Sequence, residues 1–332
     1  MGFRACEFVS EELIARLTEI RVSDPECALR AALSRERRPK LTLDGKLNIL
    51  AADHPARRVT SVGGNPVGMA DRHDYLARIV RVLMGGSVDG VMATMDIIED
   101  LLILDVSGRD SFLKDKLLIA SLNRGGLAGS SWEMNDPMTG ATPAACAGWK
   151  LDGAKILMRI SDEEPDSLKT MMASAAAITE LNALDVPTFL EPLPVVKSEK
   201  GYKVIKTAEA LARIVGVASA LGDSSRLLWL KLPYCENYEM VARATTLPIL
   251  LLGGESAGDP TGYLREVSAG MAAGANVRGA LVGRNVLYPG DDDPLAVAEA
   301  VGGIVHHGWN VDEAMSLANE LLREMEPERK WR

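Results

Sequence analysis

Lys231 sits in the middle of an apolar run, WLKLPY (229–234). An ammonium group in such surroundings is costly unless it is paired or neutralised. One chemistry makes use of that cost. An amine attacks a ketone only in its neutral form, and a lysine starts near a pKa of ~10.4. Burial and a second nearby cation both push it down, and imine-forming lysines are activated in this way. The iminium that results is an electron sink for breaking or making the adjacent carbon–carbon bond. A carboxylate is then needed to carry protons between hydroxyls and the carbinolamine. Lys155, in AKILMRI, can serve as the second cation. Glu191, in PTFLEPL, and Asp53, in LNILAAD, are the available carboxylates.

Those residues need a scaffold that brings four distant stretches together. Eight short apolar runs recur along the chain: LNILAAD (47–53), VDGVMAT (88–94), KLLIASL (116–122), AKILMRI (154–160), PTFLEPL (187–193), RLLWLKL (226–232), PILLLGG (248–254) and VRGALVG (277–283). Amphipathic stretches lie between them, as at 69–84, 167–184, 207–221 and 238–245. Eight strands in βα alternation predict a closed parallel (β/α)8 TIM barrel. An open doubly wound sheet is the alternative, but no GxGxxG follows the first strand. Residues 1–40 read as an N-terminal helical extension, opened by Ser10-Glu-Glu and restarted by Ser23-Asp24-Pro25. Residues 41–332 form the barrel, with an extra C-terminal helix over 311–325.

In such a barrel the reactive side chains sit at the C-terminal strand ends. Those ends are polar here: Asp53-His54, Asn123-Arg124, Lys155 with Arg159, Glu191, Lys231, Gly253-Gly254-Glu255 and Gly283-Arg284. Period-two alternation places Lys155, Leu157 and Arg159 on one face and Trp229 with Lys231 on another. If these faces point inward, Asp53, Lys155, Glu191 and Lys231 converge; the register decides. The alternative is that Lys231 caps the rim in an ion pair with Glu191 or Asp53. Gly253-Gly254 lets backbone approach an anion, and Arg284 offers a forked donor suited to phosphate. A plain tight turn is the other reading of the glycines. His54, Arg124, Arg159 and Gly283 complete the expected substrate- and phosphate-binding set.

The 332 residues are 47% hydrophobic and 25% charged, with a formal net charge of −9 and no basic block. That balance argues against nucleic acid or an anionic membrane as the main partner. No apolar stretch approaches a membrane span. The four cysteines are scattered, without a CxxC, and read as reduced cytoplasmic thiols. Of the four histidines only His54 stands at a strand end, and one histidine makes no zinc site. His73 reads as a surface residue, and His306-His307 as lying on the last barrel helix away from the catalytic face. No metal or other cofactor is expected.

Taken in order along the chain, AADH, GAKILMR, LEPL, WLKLP, LLGGE and LVGRN resemble the class I aldolases of the deoxyribose-phosphate and tagatose-bisphosphate aldolase superfamily. The resemblance covers roughly residues 47–289 and is similar also to archaeal-type fructose-bisphosphate aldolases. It implies a TIM barrel, Lys231 as the imine-forming lysine, Glu191 as proton shuttle, Lys155 and Asp53 in support, and phosphate held by Arg284 and Gly253-Gly254. Within it, ILAADHPAR, IIEDLL, NRGGLAG and LLLGGE resemble a subgroup whose members accompany inositol breakdown. That association implies 5-dehydro-2-deoxy-6-phosphogluconate, split to glycerone phosphate and malonate semialdehyde; a ketose bisphosphate is the other substrate implied. Three departures stand out. The seventh strand lacks the second lysine of deoxyribose-phosphate aldolases. Glu191 replaces the tyrosine of the archaeal-type enzymes. The loop NRGGLAGSSWEMND (123–136) matches neither, so Arg124, Trp132 and Glu133 are expected to shape substrate choice. An isomerase using Glu191 and Lys155 without a covalent adduct, or a noncatalytic sugar-phosphate sensor, would use the same pocket. A homo-oligomer is expected.

Overall fold

The computed structural model describes residues 3–325 apart from 109, 200 and 257. Among the described residues nine strands follow one another: β1 (Leu47–Ala52), β2 (Gly90–Ala93), β3 (Leu117–Ser121), β4 (Gly153–Ile160), β5 (Thr188–Ser198), β6 (Gly201–Val204), β7 (Leu228–Pro233), β8 (Ile249–Leu252) and β9 (Val277–Val282). Eight of them pair in parallel in the order β4-β3-β2-β1-β9-β8-β7-β5, and β4 pairs with β5 to close the ring. This is the (β/α)8 TIM barrel that the alternation predicts. β6 stands outside the ring as the antiparallel partner of the overhanging end of β5.

The strands are aliphatic because both of their faces are covered. Inward-facing residues Leu47, Ile49, Met92, Ile119, Phe189, Leu250 and Leu281 fill the lower barrel as one apolar plug, with Trp229 against it. The outward set, including Leu50, Val91, Leu118, Ile156, Leu190 and Leu230, joins the helices in a larger core.

The barrel helices are α3 (Arg72–Leu83), α4 (Met95–Ser107), α5 (Pro143–Gly148), α6 (Asp166–Ala183), α7 (Ala208–Ser219), α8 (Tyr238–Arg243), α9 (Thr261–Ala272), α10 (Arg284–Leu287) and α11 (Pro294–Gly302). They are preceded by α1 (Glu11–Ser23) and α2 (Cys27–Ser34) and followed by α12 (Val311–Met325). Ser10 caps α1 by accepting from the Leu13 amide, 3.3 Å, as its position predicts. The N-terminal pair lies on α4. Arg21 donates to Glu99 at 2.8 Å and to Asp100 at 2.7 Å, while Ala28, Ala31 and Ala32 join the main core. Among the described residues no helix is long and apolar enough to cross a membrane.

His73 differs from expectation in detail, while His306 lies away from the catalytic cavity as expected. His73 bonds the Val9 carbonyl through Nε2, 2.6 Å, and so fastens the N-terminal segment to α3. His306 lies in a π-helical turn, Gly303–His307, and bridges Asp44 and Asp89 at the floor of the barrel. Among the described residues no three His, Cys, Asp or Glu side chains gather as a metal site.

Candidate active site

The register joins Ser121 to Lys155 across β3 and β4, and Leu157 to Glu191 across β4 and β5. It therefore continues the alternation of the apolar plug upward. Ala51 leads to Asp53, Ile119 to Ser121, Phe189 to Glu191 and Trp229 to Lys231. One polar layer thus lies on top of one greasy floor, and Asp53, Lys155, Glu191 and Lys231 meet in it.

Glu191 Oε2 sits between two ammonium groups, 2.7 Å from Lys155 Nζ and 3.1 Å from Lys231 Nζ. Lys155 Nζ lies 3.4 Å from Asp53 Oδ2, which also accepts from Ser121 Oγ at 3.0 Å. Arg124 pairs with the other oxygen, Asp53 Oδ1. The result is a chain of alternating charge, Lys231–Glu191–Lys155–Asp53–Arg124, almost wholly out of water.

The lysines are not equivalent. Lys155 is 0% exposed and stands behind Glu191, while Lys231 lines a cavity of about 200 Å³ at the barrel mouth. Burial, helped by Arg124 and Lys231, pushes Lys155 down to about 8 against the pull of Asp53 and Glu191. Burial would raise both carboxyls, but their cations outweigh it. Lys155 and Lys231 hold Glu191 at about 2, and Arg124 and Lys155 hold Asp53 well below the usual carboxylate range.

A pH dependence follows for Glu191. Its folded pKa is below that of the unfolded chain, so the unfolded state takes up protons first on acidification. The stabilisation is complete above about 4.5 and is lost as the pH falls toward about 2. Urea midpoints measured across that window are expected to fall for the wild type and to fall less for Glu191→Gln.

His54 follows Asp53 and lines the cavity. Burial, with Arg124 and Arg284, holds its imidazole neutral at about 3 although Asp53 pulls the other way. Its buried Nδ1 has no hydrogen-bond partner among the described residues. The ring occupies space that only a glycine at 283 leaves open, since an added Cβ there would stand 2.3 Å from His54 Cε1. Gly253, Gly254 and Arg284 line the same cavity. Gly254 has φ +95°, a backbone that side chains resist.

Arg159 is placed differently from expectation. Its guanidinium turns into the 123–136 loop, where it bonds Glu133 Oε1 at 2.6 Å, Gly126 O at 3.1 Å and the Glu133 carbonyl. It is not among the residues lining the cavity. Glu133 is likewise buried rather than presented to a ligand. It receives Arg57 at 2.5 Å and the Gly129 amide at 2.8 Å as well as Arg159. Trp132, in the same loop, is 52% exposed.

Three residues escape the sequence reading. Ser121 orients Asp53. Arg57, in the quoted ADHPAR stretch, lines the cavity, and so does Lys206. The signal for Lys206 is present in KSEKGYKV (197–204), a polar alternation around a glycine turn that marks a hairpin.

The comparisons with known proteins bear on the fold and the family. The crystal structure of Cgl0159 from Corynebacterium glutamicum is 36% identical, with a TM-score of 0.85 over 91% of this chain and 99% of that chain. An archaeal fructose 1,6-bisphosphate aldolase is 20% identical, with a TM-score of 0.60 over 85% of this chain and 100% of that one, a likeness of fold. Among curated proteins, 2-amino-3,7-dideoxy-D-threo-hept-6-ulosonate synthase 1 of Archaeoglobus fulgidus is 32% identical over 93 residues, or 28% of this chain. The match spans only about a third of that protein, 34% of its length. The family model described as Cgl0159-like matches residues 45–304, from the approach to β1 into the π-helical turn before α12, and the chain belongs to that family.

Proposed function

We propose that the protein is a class I aldolase, a carbon–carbon lyase that works through an imine on Lys231 and acts on a phosphorylated ketose or keto sugar acid. The observation that supports this most is the asymmetry of the two lysines. Lys231 lines the cavity, while Lys155 is buried behind Glu191 with carboxylates on both sides. An ion pair kept only for structure does not require one of its cations to line a cavity.

The steps use the groups in place. Glu191, 3.1 Å from Lys231 Nζ, accepts the proton that frees the amine. The amine adds to the ketone carbon, and the carbonyl oxygen takes up a proton to give a carbinolamine. Glu191 delivers a proton to that hydroxyl, water departs and the iminium forms. The hydroxyl on the far carbon of the scissile bond then gives its proton to the Glu191 carboxylate. Its electrons form an aldehyde carbonyl while the bonding pair moves into the iminium to give an enamine. Protonation of the enamine carbon and addition of water release the second product and restore the amine. Lys155 keeps Glu191 ionised and in place, and Asp53 with Arg124 holds Lys155. The iminium is the electron sink, so this route calls for no metal or organic cofactor.

The reading is supported by an archaeal protein of this fold that bears the name fructose 1,6-bisphosphate aldolase. A branch related to tagatose-bisphosphate aldolases, and 5-dehydro-2-deoxy-6-phosphogluconate as substrate, extend the same reading. Borohydride reduction in the presence of glycerone phosphate tests it, with a covalent adduct on Lys231 as the expected product.

A further inference from the structure

The two ends of the cavity differ in charge balance. Under the 123–136 loop each guanidinium meets a carboxylate: Arg124 with Asp53, Arg57 with Glu133 at 2.5 Å, and Arg159 with Glu133 at 2.6 Å. The opposite end holds Arg284 and Lys206. Among the described residues Arg284 has only Glu255, 3.5 Å away on a side chain that is 87% exposed, and its buried Nε finds no hydrogen-bond partner there. Lys206 makes no hydrogen bond or ion pair among the described residues, and Glu266 is within its electrostatic reach only.

Lys206 owes its place to the hairpin outside the barrel. β5 overshoots the rim, turns at Gly201 with φ +108°, and returns as β6. Val195 faces Val204, and the Ile205 amide donates to the Pro194 carbonyl at 2.8 Å. Continuing that register sets Lys206 opposite Leu193, and Val204, Lys206 and Leu193 all line the cavity. From there the side chain reaches across the mouth. Its Nζ lies 3.8 Å from the point a Cβ on Gly254 would occupy.

We infer that Lys206 is a substrate-binding residue, that with Arg284 and the Gly253-Gly254 turn it forms a clamp for one phosphate monoester, and that the cavity takes no second phosphate. The inference rests on the reading of this cavity as the substrate site. Two cations without close, buried carboxylates fit a dianion. A phosphate monoester carries about −1.5 to −2 at neutral pH, whereas a carboxylate would leave one cation uncompensated. A turn of two glycines lets an anion approach the backbone closely. The other end has no comparable surplus, because its three guanidiniums face three buried carboxylates, Asp53, Glu133 and Asp136, the last 3.9 Å from Arg159. A ketose bisphosphate would bring a second dianion there with nothing left to receive it.

Calorimetric titration of the full chain with inorganic phosphate tests the clamp without involving imine chemistry. Lys206→Gln is expected to weaken phosphate binding by about tenfold, the scale of one charge-assisted hydrogen bond, and Lys206→Arg to restore most of it. Fructose 6-phosphate and fructose 1,6-bisphosphate are expected to bind within about threefold of each other, since the second phosphate finds no partner. The clamp is overturned if the wild type does not bind phosphate, or if Lys206→Gln binds it as the wild type does. A bisphosphate bound more than about tenfold more tightly than the monophosphate overturns the single-phosphate claim. Borohydride trapping reads separately. An adduct on Lys231 with no effect of Lys206→Gln on phosphate affinity refutes the clamp alone. A Lys206-dependent phosphate site with no adduct refutes the imine alone.

Discussion

Glu191→Gln is expected to slow the accumulation of reducible adduct by about 10²–10⁴-fold, the usual contribution of a positioned proton shuttle. The adduct itself, once formed, should still lie on Lys231. Glutamine keeps an oxygen acceptor between Lys155 and Lys231 but cannot take up and return a proton at its Oε2 position, 2.7 and 3.1 Å from the two ammonium groups. A slow rate with an unchanged site separates proton transfer from binding. A rate unchanged from the wild type would hand the shuttle to Asp53 or to water. Time courses of borohydride-quenched samples, read by mass spectrometry, give both quantities.

The largest expected loss of stability comes from a residue that touches no reacting atom. Glu133 is 4% exposed and receives Arg57, Arg159 and the Gly129 amide. It therefore ties the loop after β1, the loop after β3 and the body of β4 to one carboxylate. A Cβ at Gly201 would stand 2.9 Å from its Oε2, so the β5–β6 turn also packs against it. Glu133→Ala leaves buried guanidiniums without their counter-ion, a change that costs about 3–5 kcal/mol. Urea unfolding followed by circular dichroism should show a loss of that size, with Glu133→Gln in between. A loss below about 1 kcal/mol, the range of an exposed ion pair, would mean that solvent already reaches this network.

The legible and illegible parts of this molecule divide along a physical line. Strands of a parallel barrel are covered on both faces, so all eight stand out as aliphatic runs bounded by turns. Amphipathic helices such as α3, α6 and α7 were readable from their stripe. α4, with the sequence MDIIEDLLILDVS, was not, because apolar residues nearly surround it. β6 escaped because it stands outside the barrel and is half solvated, so it carries no aliphatic run. At the site, alternation along each strand was enough to orient Asp53, Lys155, Glu191 and Lys231 toward one another once the register was known. The same alternation misleads at Arg159. It lies on the inward face, but one step higher, where the 123–136 loop folds over it and Glu133 captures its guanidinium. That pairing joins residues 26 apart through an irregular loop, and no periodicity announces such a contact. Lys206 was hidden for the related reason that its position depends on a hairpin register.

The imine on Lys231 is the claim on which the rest depends, and one measurement reaches it directly. The protein is incubated with glycerone phosphate, reduced with borohydride and digested, and the modified peptide is identified by mass spectrometry. The adduct is expected on Lys231 and is expected to vanish in Lys231→Ala. An adduct on Lys155 instead, or none with glycerone phosphate, pyruvate or acetaldehyde, would contradict it and leave Lys231 as a rim cation of a noncovalent site.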